Sequence, residues 1–152
     1  NNAELINFCK CTGLRRAELS QLRGTDLIEK DGKYFLHIHA GAKGGRERVS
    51  QIIGTKREVQ AVVERMRKSE SNKVWSKVSS NADIHGYRSD YCNRVYKLHE
   101  RDINTLNPRE IYYCRRDLKS VKYDKKAMLI ASKNLGHNRI NVIASNYLRA
   151  TT

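Results

Sequence analysis

An α+β fold, mainly helical with a small three-stranded antiparallel sheet, is what this sequence predicts. Three observations carry that expectation. Apolar residues recur at helical spacing in several stretches bounded by caps and glycines. Between residues 26 and 52, short strand-like runs are separated by turn signals instead. The 152 residues contain no internal repeat and no linker-like segment, and 39% hydrophobic with 30% charged residues is a globular balance, so one domain with one core is expected.

Residues 1–10 read as a short amphipathic helix with Leu5, Ile6 and Cys9 on one side, broken at Thr12-Gly13. Residues 15–22 resume the helix with Leu19 and Leu22, and Gly24 stops it. DLI (26–28) and YFLHIH (34–39) flank EKDGK, whose Asp31-Gly32 is a tight-turn signal. The Gly-rich turn GAKGG (41–45) leads into a third strand, RERVSQI (46–52). Thr55 then caps a helix striped by Val59, Val62, Val63 and Met66. A polar loop follows at 69–83, with Trp75 placed to pin it to the body. His85 opens a helix in which Tyr87, Tyr91, Val95 and Leu98 step down one face. Residues 99–126 are less regular; YYCRRDLKSVKY reads equally as a hairpin or an irregular loop. Asp124 starts a helix through Ala127, Ile130 and Ala131, ended by Gly136, and a last helix covers roughly 141–149.

Charge narrows the partner. Thirty Lys and Arg against sixteen Asp and Glu leave +14. The excess is even, with 16 basic and 9 acidic residues over 1–80 and 14 and 7 over 81–152. A domain basic throughout points to a polyanion, most often nucleic acid. No apolar run is long enough to span a bilayer and no signal peptide opens the chain, so no membrane partner is expected. The four cysteines (Cys9, Cys11, Cys92, Cys114) form no CxxC pair. That speaks against a zinc or disulfide framework and for a reducing compartment, with Cys9 and Cys11 in or beside a core. The acidic residues form no DxD cluster of the kind a two-metal nuclease needs.

Four stretches carry chemistry when taken together. TGLRRAEL (12–19) puts Arg15 at a helix start with Glu18 one turn on. GAKGGRER (41–48) puts Lys43 at a hairpin tip. HGYR (85–88) puts His85 and Arg88 on one helical face. LGH (135–137) supplies His137, and Tyr147 follows ten positions later. Singly, each has an ordinary structural explanation: an Arg15–Glu18 pair, a solvated Lys43, a capping His85, a solvated Arg88, and a core Tyr147 on a face with Ile140 and Ile143.

In this order they resemble the catalytic domain of the tyrosine recombinases, or phage integrases. TGLRRAEL is similar to the family's first box, and the resemblance implies Arg15 as a catalytic arginine with Glu18 in support. GAKGGRER is similar to the family's β-hairpin box and implies Lys43. HGYR is similar to the HxLR box, with Tyr87 in place of the usual leucine, and implies His85 and Arg88. LGH implies His137, and Tyr147 becomes the nucleophile. The resemblance spans residues 12–147. It implies a metal-independent, cofactor-free DNA strand transferase that cleaves and rejoins double-stranded DNA through a covalent 3′-phosphotyrosine. The implied role is site-specific recombination or integration for a mobile element such as a phage or integrative transposon, in a bacterial or phage-derived cytoplasmic setting.

The residue types suit that reaction. An incoming phenolate is repelled by an anionic phosphodiester, and the pentacoordinate transition state gathers further charge. Arg15 and Arg88 each offer a planar fork to non-bridging oxygens, and His137 adds a hydrogen bond. A free phenol, with a pKa of about 10, is mostly protonated at neutral pH, and His85 is the candidate to take its proton. Lys43 is the candidate donor to the departing 5′ oxygen.

Two spacings depart from the family's pattern. Arg88 and His137 are 49 positions apart, a longer gap than usual, so about 99–126 reads as an insertion. Tyr147 lies one position further from His137 than is common. The family also implies an N-terminal DNA-binding domain outside these residues and a tetramer on DNA. Residues 1–152 are accordingly expected to be a catalytic-domain fragment, for which a monomer is one of the states left open. Two alternatives use the same observations differently: DNA relaxation by a type IB topoisomerase-like site, and a non-catalytic nucleic-acid-binding module for which +14 suffices.

Overall fold

Among the described residues, helices, a three-stranded antiparallel sheet and a two-stranded antiparallel pair make a helix-rich α+β architecture. The computed structural model describes residues 2–39, 47–114, 121–137, 142–144 and 147–148. Helix α1 (Asn2–Thr12) and the short α2 (Arg16–Gln21) lead through a 3-10 turn (Gly24–Asp26) into β1 (Leu27–Lys30), β2 (Lys33–Ile38) and β3 (Arg48–Gln51). Helices α3 (Lys56–Ser69) and α4 (Ile84–His99) follow. Two further 3-10 turns, β4 (Ile111–Tyr113) and β5 (Lys122–Asp124) then lead directly into α5 (Lys125–Leu135).

The sheet runs β1-β2-β3, with Leu27 opposite Leu36 and Leu36 opposite Ser50. Asp31 and Gly32 both take positive φ, 53° and 75°, at the turn joining the first two strands. That is the backbone demanded by a two-residue hairpin loop and tolerated by this residue pair. Thr55 caps α3 by accepting from the Glu58 N–H, and Glu58 returns the bond to the Thr55 N–H at 2.8 Å. Of the two readings for 112–123, the antiparallel pairing of β4 with β5 favours the hairpin, with Tyr112 opposite Tyr123 and 115–120 outside the described residues.

Apolar burial divides into two clusters. One gathers Leu5, Phe8, Leu14, Leu19, Leu36 and Met66 between α1, α3 and the sheet. Trp75 belongs to it, edge-on to Phe8 with ring centroids 5.4 Å apart, which anchors the polar loop as expected. The other gathers Tyr91, Val95, Met128, Leu135 and Ile143 along α4 and α5. Each fully buried side chain of this size contributes about 1.5–3 kcal/mol. A polar seam joins the clusters: the Tyr91 hydroxyl donates to the Gln51 carbonyl at 2.6 Å and lies 2.9 Å from the Ser50 hydroxyl. Cys9 and Cys11 are buried, and burial raises both thiols, to about 12 and about 11.

Two expectations change. Leu98 is 58% exposed, because the buried face of α4 runs through Arg88, Tyr91, Cys92, Val95 and Tyr96. Ile6 is only partly buried, and Phe8 takes the inward place instead. The less regular stretch after α4 is tied to the body by an ion pair between the partly exposed Arg101 and the buried Asp124. Asp124 accepts from the Arg101 side chain at 2.9 and 2.7 Å while capping α5 at the Lys126 N–H. Arg101's hydrogen bonds hold the Asp124 carboxyl down at about 2. Of the expected last helix, 142–144 have helical backbone; the Gly-rich turn 41–45 and the rest of 141–149 except 147–148 lie outside the described residues. No helix among the described residues is long and apolar enough to cross a membrane.

Candidate active site

Where α1 ends, α5 ends and α4 begins, the chain builds a cationic centre around two backbone turns. Gly13 closes α1 at φ +66°, and a Cβ there would stand 2.3 Å from the Tyr91 ring. Gly136 closes α5 in the left-handed region at φ +86°, with Arg48 and Arg15 guanidinium nitrogens 2.9 and 3.2 Å from where its Cβ would be. Glycine at both positions combines the required backbone with close approach of a neighbouring side chain. The two turns belong to the stretches TGLR and LGH.

Arg88 ties them together. Its guanidinium donates to the Gly13 carbonyl at 2.5 Å and to the Leu135 carbonyl at 2.9 Å. Both acceptors are orphan carbonyls of helix ends, where the helix dipole favours a cation. Arg88 is only 3% exposed, and no carboxylate pairs with it among the described residues. Burial lowers its pKa, partly countered by Tyr147.

Arg15 sits at the N-cap of α2, its N–H donating to Glu18 Oε1 at 2.8 Å and its guanidinium 3.4 Å from Oε2. Glu18 is 4% exposed and is gripped by a second arginine, Arg48, through bonds of 2.5 and 2.9 Å. Burial pushes the Glu18 carboxyl up, but the hydrogen bonds and charge of Arg48, helped by Arg15, bring it below the usual range. Arg48 also donates from Nε to the Asn134 carbonyl at 3.1 Å, fixing β3 to α5. Two guanidiniums therefore grip one carboxylate, and Arg88, close enough to feel the charges of Arg15 and Arg48, brings the net charge on these four side chains to +2.

His137 stands among them and is held neutral. Burial, then the charges of Arg88, Arg15 and Arg48, bring its pKa down to about 4. Its backbone N–H is spent on the Ser132 carbonyl at 2.8 Å, while its buried Nε2 has no hydrogen-bond partner among the described residues. A buried ring nitrogen left this way is a free energy cost that a bound polar group would relieve.

Tyr147 closes the centre. Its ring stacks on His85, with centroids 5.0 Å apart and an interplanar angle of 29°. It lies 5.7 Å from the His137 ring, and the Arg88 guanidinium carbon is 5.5 Å from its centroid. Its backbone is clamped to α4, the Tyr147 carbonyl accepting from Ser89 at 2.5 Å and Asn93 at 3.1 Å. Ile143 is fully buried and accepts the Tyr147 N–H at 3.0 Å, so the short segment is seated by an apolar plug and three hydrogen bonds.

Six of the seven predicted site residues thus converge: Arg15, Glu18, His85, Arg88, His137 and Tyr147. Lys43 lies outside the described residues. Arg48 was missed, as were Ser89 and Asn93 as clamps. Arg48 and Ser50 take the inward face of β3 while Val49 is 53% exposed, so the inward side is polar because it faces the centre. The reversed alternation in RVSQ was the available signal.

No protein-family model, curated protein or solved structure matches the chain.

Proposed function

We propose that this domain is a tyrosine-type DNA strand transferase, and that Tyr147 is its nucleophile. The observation that carries the reading is the seating of one tyrosine ring against His85, His137 and a buried, carboxylate-free Arg88. A phosphodiester placed there meets the net positive charge it lacks in water, without the cost of reorganising solvent dipoles. Arg88 has three N–H donors left beyond its two carbonyl bonds, and Arg15 contributes a second fork. Neutral His137 brings its unpartnered ring nitrogen to a non-bridging oxygen.

In the reaction, the Tyr147 oxygen bonds to phosphorus as the bond to the 5′ oxygen breaks. The phenolic proton passes to His85, and the departing oxygen takes a proton from a general acid, the part the family resemblance gives to Lys43. The product is a 3′-phosphotyrosine and a free 5′ hydroxyl. Attack by a 5′ hydroxyl reverses the step without ATP, because the ester bond is conserved. Glu18 and Arg48 are positioning residues here. They hold Arg15 and the end of α5 in place and need not touch DNA. The even +14 charge supports duplex DNA as the partner, and site-specific recombination or integration for a mobile element is the activity that the ordered set of motifs favours.

A nicked suicide duplex, which loses a short fragment after cleavage and cannot be rejoined, tests this in EDTA. The chain, supplied with whatever adjoining DNA-binding domain its full-length protein carries, should form an adduct stable to denaturant. Tyr147→Phe should bind DNA equally and form none. Adduct formation by Tyr147→Phe, or strict dependence on a divalent ion, would reject the proposal.

A further inference from the structure

A second polar cluster, which shares a cleft with Glu18 of the arginine centre, occupies the end of the sheet. Asp26 closes the 3-10 turn before β1, and His37 and His39 stand two apart at the end of β2. Their donor atoms all lie within 4.8 Å of one another. His39 Nε2 is 2.5 Å from Asp26 Oδ1, and the two imidazole centroids are 4.3 Å apart. The three residues line a cleft completed by Glu18, Gln21, Leu22 and Ile38. Glu47, the first described residue after the hairpin tip, places a carboxylate oxygen 3.7 Å from His37 Nε2.

We propose that Asp26, His37 and His39 form a binding site for a first-row transition metal ion of the zinc class. Two imidazoles and one carboxylate are the borderline donor set such ions take, whereas calcium and magnesium prefer all-oxygen sites. The carboxylate is already aimed. Asp26 is 7% exposed, and its Oδ2 accepts the Arg23 N–H at 2.9 Å, which leaves Oδ1 turned toward His39. This is the second-shell bond that a ligating carboxylate needs to hold its orientation. The histidines are half-exposed, with side chains 36% and 53% accessible, so an ion can enter from solvent. Metal bonds of about 2.0–2.2 Å in a tetrahedron put ligand atoms about 3.3 Å apart. The Asp26–His39 pair opens by under an ångström to reach that spacing, and His37 closes by a rotamer adjustment. Glu47 is 60% exposed and free to swing into the fourth position.

Binding exchanges a proton for the ion. The proton between Asp26 Oδ1 and His39 Nε2 moves to the other ring nitrogen or, from an imidazolium, to solvent, and the freed Nε2 lone pair binds the metal. The site is distinct from the tyrosine chemistry proposed above and does not depend on it.

Isothermal titration of the metal-stripped chain with zinc chloride, and visible absorption with cobalt(II) as probe, test the site. One ion per chain should bind, with cobalt giving the intense bands of low-symmetry nitrogen and oxygen coordination. His37→Ala, His39→Ala and Asp26→Asn should each weaken binding by about tenfold or more, and His85→Ala should not. Circular dichroism melts of the same variants report whether the fold is retained. The His37→Ala/His39→Ala double variant is expected to melt as the parent does, because both side chains lie at the surface. Absence of saturable uptake by the parent chain would overturn the proposal. So would zinc affinity unchanged in the double variant.

Discussion

The arginine centre and the histidine cluster at the sheet's end use the same materials to opposite ends. Both set a carboxylate against nitrogen bases, and Glu18 and Asp26 are both nearly buried. Two guanidiniums on Glu18 and a third, Arg88, near them leave a cationic surplus that only an anion can neutralise. Around Asp26, two imidazoles that can give up their protons leave lone pairs that only a cation can use. Whether the nitrogen base can lose its proton decides which ligand a buried carboxylate helps to hold.

That contrast can be broken most forcefully at Glu18. Glu18→Ala leaves Arg48 buried without its counter-charge and should cost about 3–5 kcal/mol, as for a buried ion pair that loses one partner. Urea unfolding checks it, and a cost below about 1 kcal/mol would mean Glu18 does not organise the arginines. Arg88→Met should divide stability from chemistry. It frees two helix-end carbonyls, at about 1–3 kcal/mol each, but also removes a desolvated cation, so the net loss should be smaller than for Glu18→Ala. Adduct formation should nonetheless vanish. Retained cleavage would remove Arg88 from the site.

A subtler effect sharpens the same point at His137. Its folded pKa, about 4, lies below the ordinary 6.5. The unfolded chain therefore binds the extra proton first as pH falls, and stability should decline from about pH 6.5 through pH 4. His137→Gln, which cannot titrate, should flatten that slope in melting experiments. In the parent, histidine NMR should place the His137 midpoint near 4, and duplex DNA should move it upward by adding negative charge beside the ring. A midpoint unmoved by DNA would put the phosphate elsewhere.

Much of this was legible before any coordinates. The helix caps at Thr55, Asp124 and Gly136 and the Asp31-Gly32 turn follow from local chemistry that needs no tertiary partner. The candidate site was legible as order rather than geometry: residues separated by up to 132 positions, from Arg15 to Tyr147, converge because two glycine turns and one buried arginine join the helix ends. What escaped depended on which face meets which neighbour. Leu98 fits a helical stripe by spacing but falls on the solvent side, since Tyr91, Val95 and Tyr96 already fill the seam with α5 and β5. Arg48 lies in the strand-like run RERVSQI, which does not name its partner, and β3 turns it onto Glu18. The HIH spacing was visible, but its carboxylate, Asp26, comes from a separate turn.

Mass-spectrometric mapping of the trapped adduct tests the central claim most directly. The chain has eight tyrosines, and after protease and nuclease digestion only one should carry a residual 3′-linked nucleotide. The account predicts that it is Tyr147. A nucleotide on Tyr112, Tyr113 or any other residue would contradict it, however well the rest of the centre is formed.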